Sequence, residues 1–146
     1  GATNRIREIA SYFNAEMVIC DKHRKRANEI ASMVVIGDVT DRDVVIIDDI
    51  CDTGGTLAKS AGLLKEKGAR SVRALITHPV LSGKAYENIE NSVLEELVAC
   101  DTIPVKKESA KIKILSVAEL FAVAIRNAFE NKSITSLFIH SQRRDK

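Results

Sequence analysis

The stretch Asp43-Val44-Val45-Ile46-Ile47-Asp48-Asp49-Ile50-Cys51-Asp52-Thr53-Gly54-Gly55-Thr56 decides the fold of this chain. Its β-branched run, Val44 through Ile47, suits a strand buried on both faces, as in a parallel sheet. From Thr56 to Lys67 the pattern becomes helical. Leu57, Ala61 and Leu64 share one face, Lys59, Lys65, Glu66 and Lys67 form the wet side, and Gly68 fits the place just past the C-cap. A buried strand therefore feeds a helix through a loop spanning 48–56. In open α/β sheets, ligands sit outside the carboxyl ends of the strands, where this loop lies.

The loop has the composition of an anion cradle from Asp52 to Thr56. Gly54 and Gly55 let backbone N–H groups turn onto a ligand, and Thr53 and Thr56 add hydroxyl donors. The helix start adds partial positive charge. No Lys follows the second glycine, so this is not a Walker A loop, and it is not a GxGxxG fingerprint. Asp48 and Asp49 would repel a naked phosphate. They make sense facing sugar hydroxyls, or a Mg²⁺ shared with a substrate. Phosphate at one end and a vicinal diol at the other describe a ribose 5-phosphate. A plainer account has the aspartates capping the strand while Gly54-Gly55 makes a turn. Two acids plus Asp-Thr-Gly-Gly-Thr exceed what a turn needs.

Outward from this stretch, Ile6, Ile9, Ala10 and Phe13 predict an amphipathic helix over about 4–13. Residues 16–20 (Glu-Met-Val-Ile-Cys) and 33–36 read as strands, with the charged run Asp21-Lys22-His23-Arg24-Lys25-Arg26-Ala27-Asn28 between them. Strands are expected at 71–77, 93–99 and 112–115, and a weaker helix at 83–91. Ser116 is placed to cap a strong helix through Phe129, with Val117, Leu120, Phe121, Ala124, Ile125 and Ala128 inward. Strands alternating with helices argue for a doubly wound, mainly parallel α/β sheet. One domain is expected over 1–140, followed by a polar tail, 141–146.

The 146 residues suffice for one domain with a core. Apolar residues are 45% and charged residues 29%, a globular balance. A net charge of +2 is too small to imply a nucleic-acid partner. No apolar run approaches the roughly 18 residues of a membrane span, and Gly1-Ala2-Thr3-Asn4-Arg5 does not open a signal peptide. The missing initiator Met suggests a fragment or a processed product. Cys20, Cys51 and Cys100 form no CxxC pair or zinc spacing, and are expected to be reduced and mostly buried in a cytoplasmic protein.

The segment from Val44 to Thr56 resembles the phosphoribosyl-pyrophosphate signature of type I phosphoribosyltransferases and of ribose-phosphate pyrophosphokinases. Other segments favour the second family. The run from Asp21 to Asn28 resembles its catalytic flexible loop, usually Asp-Lys-Arg-Arg-Pro-x-Ala-Asn. Gly37-Asp38-Val39 resembles the short segment before its binding strand. Thr77-His78-Pro79-Val80-Leu81-Ser82-Gly83 resembles its Thr-His-(Pro/Gly)-x-x-Ser-Gly segment, and Asp101-Thr102-Ile103-Pro104 and Ser133-Ile134-Thr135-Ser136-Leu137-Phe138 its later landmarks. His23 stands where the family usually has Arg, and Lys25 where it has Pro.

That resemblance implies a type I phosphoribosyltransferase fold and the C-terminal half of a two-domain enzyme. It implies transfer of the β,γ-pyrophosphoryl group of ATP to the 1-hydroxyl of ribose 5-phosphate, with Mg²⁺, giving phosphoribosyl pyrophosphate and AMP. Lys22 and Arg24 occupy the positions that stabilise the transferring phosphates. Asp48 and Asp49 would hold ribose hydroxyls, and Asp52, Thr53, Gly54, Gly55 and Thr56 the 5-phosphate. ATP would be held mostly by the other half, so the isolated chain is expected to be inactive. The family commonly forms homo-oligomers. The alternatives are a phosphoribosyltransferase, which needs a base-recognition hood, and a non-catalytic regulatory subunit of the pyrophosphokinase.

Overall fold

The computed structural model describes residues 2–23 and 32–138. Its elements are α1 (Ala2–Tyr12), β1 (Ile19–His23), β2 (Ser32–Ile36), β3 (Asp43–Cys51), α2 (Gly55–Glu66), β4 (Ser71–Pro79), α3 (Ala85–Glu90), β5 (Glu96–Cys100), β6 (Ile112–Leu115) and α4 (Ala118–Phe129). A single 3-10 turn follows at Thr135–Leu137. The chain divides into two compact units. One holds Val18–Leu115, and the other holds Gly1–Met17 with Ser116–Lys146.

The first unit is built on four parallel strands in the order β3-β4-β5-β6. Along β4 the side chains alternate, with Val72, Ala74 and Ile76 buried and Arg73, Leu75 and Thr77 exposed. The buried set packs with Leu97 and Ala99 of β5, Leu57, Ala61 and Leu64 of α2, and Ala85, Tyr86 and Ile89 of α3. Leu64, Ile89 and Leu97 are sealed from solvent, and each such side chain contributes about 1.5–3 kcal/mol. The predicted apolar face of α2 is thus its buried face, joined by Ser60. Gly68 stands past the C-cap with φ +92° and donates its N–H to the Lys65 carbonyl. At the amino ends of β3 and β4, Asp43 accepts from Arg70 Nε at 3.0 Å and from Ser71 Oγ at 2.6 Å. This clamp fixes the register at the end of the sheet far from the glycine loop.

Several expectations are corrected. β3 is not buried on both faces: it is an edge strand of the parallel sheet, and Val45 is 50% exposed. It also runs on through Asp48, Asp49, Ile50 and Cys51, because pairing with β4 continues to Cys51↔Pro79. Poor strand formers are carried by their neighbours there. The connection to α2 is therefore only 52–54. β1 starts later than expected and includes Asp21, Lys22 and His23, paired antiparallel with β2 from Ile19↔Ile36 to His23↔Ser32. The strand forms where β2 offers partners, not where hydrophobicity peaks. Of the cysteines, Cys51 is buried, Cys100 half-buried and Cys20 exposed.

In the second unit, α4 spans the expected residues, but none of them is buried. The expected inward set, Val117, Leu120, Phe121, Ala124, Ile125 and Ala128, is half-buried at most. Among its described residues, this unit otherwise offers only α1 and one short turn. Val117, not Ser116, sits at the N-cap, and Ser116 Oγ accepts the Ala118 N–H at 3.2 Å. The tail, 141–146, lies outside the described residues.

Candidate functional site

The short connection after β3 is held on three sides. Gly54 is the residue before α2, in the left-handed conformation (φ +71°, ψ −8°), and its carbonyl accepts the Ala58 N–H at 2.9 Å. This turn presents the start of a twelve-residue helix beside Thr53, Gly55 and Thr56. Among the described residues, no side chain caps that end. Its N–H groups and helix dipole are available to an anion. Asp52, Thr53 and Thr56 are exposed, Gly55 is half-buried and Gly54 is buried.

Glycine is required at position 54. A Cβ there would stand 3.3 Å from the Ala85 carbonyl oxygen and 3.3 Å from Ile89 Cγ1, on a backbone that L side chains rarely adopt. Gly54→Ala is expected to destabilise the chain by about 2 kcal/mol from the left-handed backbone alone, with the crowding adding to it. Chemical denaturation measures this, and an unchanged midpoint contradicts it.

Asp48 and Asp49 both reach solvent near the carboxyl end of β3, and the Asp49 N–H donates to Asp48 Oδ1 at 2.9 Å. By strand alternation, Asp48 shares the face of its partner Ile76, while Asp49 leaves from the other side. Burial pushes the Asp48 carboxyl up from its ordinary value, against the Asp49 N–H, and the Asp49 charge adds to the rise. Cys51 is 3% exposed, and burial pushes its thiol up as well. It packs inward as a small apolar residue, although it adjoins the loop.

Lys22 lies on β1 opposite Met33. Ser60 Oγ lies 3.2 Å from Met33 Sδ and donates to the Thr56 carbonyl at 3.0 Å. The register position of Lys22 is thereby linked to the first turn of α2. Arg24 and the rest of the charged run lie outside the described residues. His78 donates from Nδ1 to Thr102 Oγ1 at 2.9 Å, since the Thr102 hydroxyl itself donates to the Thr77 carbonyl at 2.7 Å. That pairing anchors the end of β4 to the segment after β5.

Two residues at the loop were not singled out from the sequence. Ser82 donates its N–H to the Asp52 carbonyl at 3.0 Å and its hydroxyl to the Asp52 carboxylate. Asn88 donates its side-chain amide to the Thr53 carbonyl at 2.8 Å. Ser82 belongs to the Thr-His-Pro-Val-Leu-Ser-Gly segment, which was the one available signal. Among the described residues, no three acidic, His or Cys side chains gather to hold a metal ion. No helix there is long and apolar enough to cross a membrane.

Residues 10–139 match the phosphoribosyl synthetase-associated domain. The ribose-phosphate pyrophosphokinase of Campylobacter jejuni is 52% identical over 139 residues, covering 95% of this chain and 45% of that protein. The protein of the same name from Wolinella succinogenes is 53% identical, with the same coverage. The crystal structure of phosphoribosylpyrophosphate synthetase from Mycobacterium smegmatis superposes with a TM-score of 0.76 at 32% identity, over 87% of this chain and 42% of that one. The chain thus spans less than half the length of these relatives.

Proposed function

The chain belongs to the phosphoribosyl synthetase-associated domain family, and we propose that it supplies the ribose 5-phosphate site and catalytic loop of a ribose-phosphate pyrophosphokinase. The observation that carries this is the uncapped start of α2 behind Thr53-Gly54-Gly55-Thr56, next to Asp48 and Asp49. The 5-phosphate accepts from the backbone N–H groups of that segment and from the Thr53 and Thr56 hydroxyls. Asp48 and Asp49 accept from ribose hydroxyls.

In the reaction, the ribose 1-hydroxyl oxygen bonds to the β-phosphorus of ATP and loses its proton. The bond from that phosphorus to the α,β-bridging oxygen breaks, and AMP leaves. Charge neutralisation and alignment supply most of such catalysis. Lys22 and Arg24 neutralise the transferring phosphates. ATP is bound mostly by residues beyond this chain. Mg²⁺, brought with ATP, would supply neutralisation of the phosphate charge. One of the two carboxylates, Asp48 or Asp49, would hold a Mg²⁺ shared with substrate, since that ion commonly takes one or two carboxylates plus phosphates and water. A cytoplasmic homo-oligomer completes the proposal.

The test is a chimera in which this chain replaces the matching segment of the Campylobacter jejuni enzyme. AMP release dependent on ribose 5-phosphate and Mg·ATP is expected, and none from the 146-residue chain alone. Turnover that required a nucleobase instead would identify a phosphoribosyltransferase and contradict the proposal.

A further inference from the structure

The glycine connection does not hold its own shape. Residues 52–54 bond to their own helix through the Gly54 carbonyl, which accepts the Ala58 N–H, and to β3 through the Gly54 N–H, which meets the Cys51 sulfur; their remaining bonds go to the segment after β4. That segment turns sharply. Leu81 is buried with φ +47°, a left-handed conformation that is costly for a branched side chain. Its N–H donates to the Cys51 carbonyl at 3.1 Å, and the turn brings both donors of Ser82 onto Asp52. One turn of α3 further on, Asn88 reaches the Thr53 carbonyl. Gly54 faces Ala85 and Ile89 of the same helix so closely that an added Cβ would stand 3.3 Å from each.

We propose that Ser82 and Asn88 are positioning residues that hold the phosphate loop in its receiving conformation, with Asp52 acting as an internal strut instead of a ligand. This rests on the assignment of the 5-phosphate to that loop. The physical reasons are two. A carboxylate left free beside a phosphate dianion repels it, and the Ser82 hydroxyl engages that charge away from the loop's donors. A carbonyl bonded by Asn88 fixes the peptide plane between Thr53 and Gly54, whose N–H turns onto the Cys51 sulfur, and so the backbone that leads into Gly55 and Thr56. Preorganised N–H groups need no ordering when the anion arrives. Strain at Leu81 is the cost of that arrangement, and Ser82 could not meet Asp52 twice without the turn.

The experiment measures the dissociation constant for ribose 5-phosphate by isothermal titration calorimetry, on the 146-residue chain, well below its melting temperature. Wild type is compared with Ser82→Ala, Ser82→Thr and Asn88→Ala. Ser82→Ala and Asn88→Ala are each expected to weaken binding by about five- to tenfold, the equivalent of one lost hydrogen bond. Ser82→Thr, which keeps the hydroxyl, is expected to stay within about twofold of wild type. In the free variants, the amide resonances of Thr53, Gly54 and Gly55 should shift or broaden while the rest of the spectrum keeps its dispersion. A purely structural role would lower the melting temperature without moving the dissociation constant, and would overturn the proposal. So would wild-type binding matched by both alanine variants, which leaves the site assignment intact. No binding by wild type overturns the site assignment and, with it, this proposal.

Discussion

Replacing Lys22 or Arg24 with Ala is expected to lower the rate of AMP release at least about a hundredfold in the chimera, the scale of losing one donor to a transition-state charge. Affinity for ribose 5-phosphate should change by less than about threefold, because these residues act on the transferring phosphates. Steady-state kinetics separates the two effects. The Michaelis constant for ribose 5-phosphate stays put while kcat falls. The link from Lys22 through Met33 and Ser60 to Thr56 places the lysine's backbone position at the loop end of α2. If neither variant changes kcat, the chain is the non-catalytic, regulatory kind of relative.

The second large effect concerns the aspartates. The double variant Asp48→Asn, Asp49→Asn is expected to weaken ribose 5-phosphate binding by about a hundredfold or more. Each hydrogen bond from a hydroxyl to a carboxylate contributes about 1.5–3 kcal/mol, and in both places the amide keeps an acceptor oxygen but loses the charge that strengthens the bond. Asp48→Asn alone should have a further, opposite consequence for stability. Burial raises the folded-state pKa of Asp48, so the folded state binds its proton more tightly than the unfolded state does. The resulting penalty is fully present above the folded pKa and disappears below the unfolded value near 3.8. The single variant should therefore melt higher than wild type at pH 7 and equally at about pH 3. Thermal melts at the two pH values check the sign. A lower melting temperature at pH 7 would mean that Asp48 is held by partners that favour its charge.

These effects were legible in the sequence to different depths. The helix after the glycines was readable from Leu57, Ala61 and Leu64 because a 3.6-residue period marks one face, and Gly68 marked its end. The position of the loop followed from strand and helix order. Strand ends were not legible, because Asp48 and Asp49 have little strand propensity and are held by pairing with β4. The burial of β3 was overestimated for a related reason. A β-branched run says that a strand forms, but not whether a neighbour lies on both sides of it. The apolar stripe of α4 is real, yet its burial depends on partners that the stripe does not name. The braces from Ser82 and Asn88 lay furthest from view. They bridge 30 and 35 residues to the loop, and a contact at that range has no local signal. Lys22 and Arg24 were reached only through resemblance, since a basic run by itself reads as solvated surface.

The most direct test of the central claim, that the connection after β3 holds the phosphate of a phosphorylated ribose, is an amide ¹H–¹⁵N titration of the 146-residue chain with ribose 5-phosphate. Saturable shifts concentrated at Thr53, Gly54, Gly55 and Thr56, with smaller ones at Asp48 and Asp49, are predicted. Shifts absent there, or concentrated elsewhere on the chain, would contradict it.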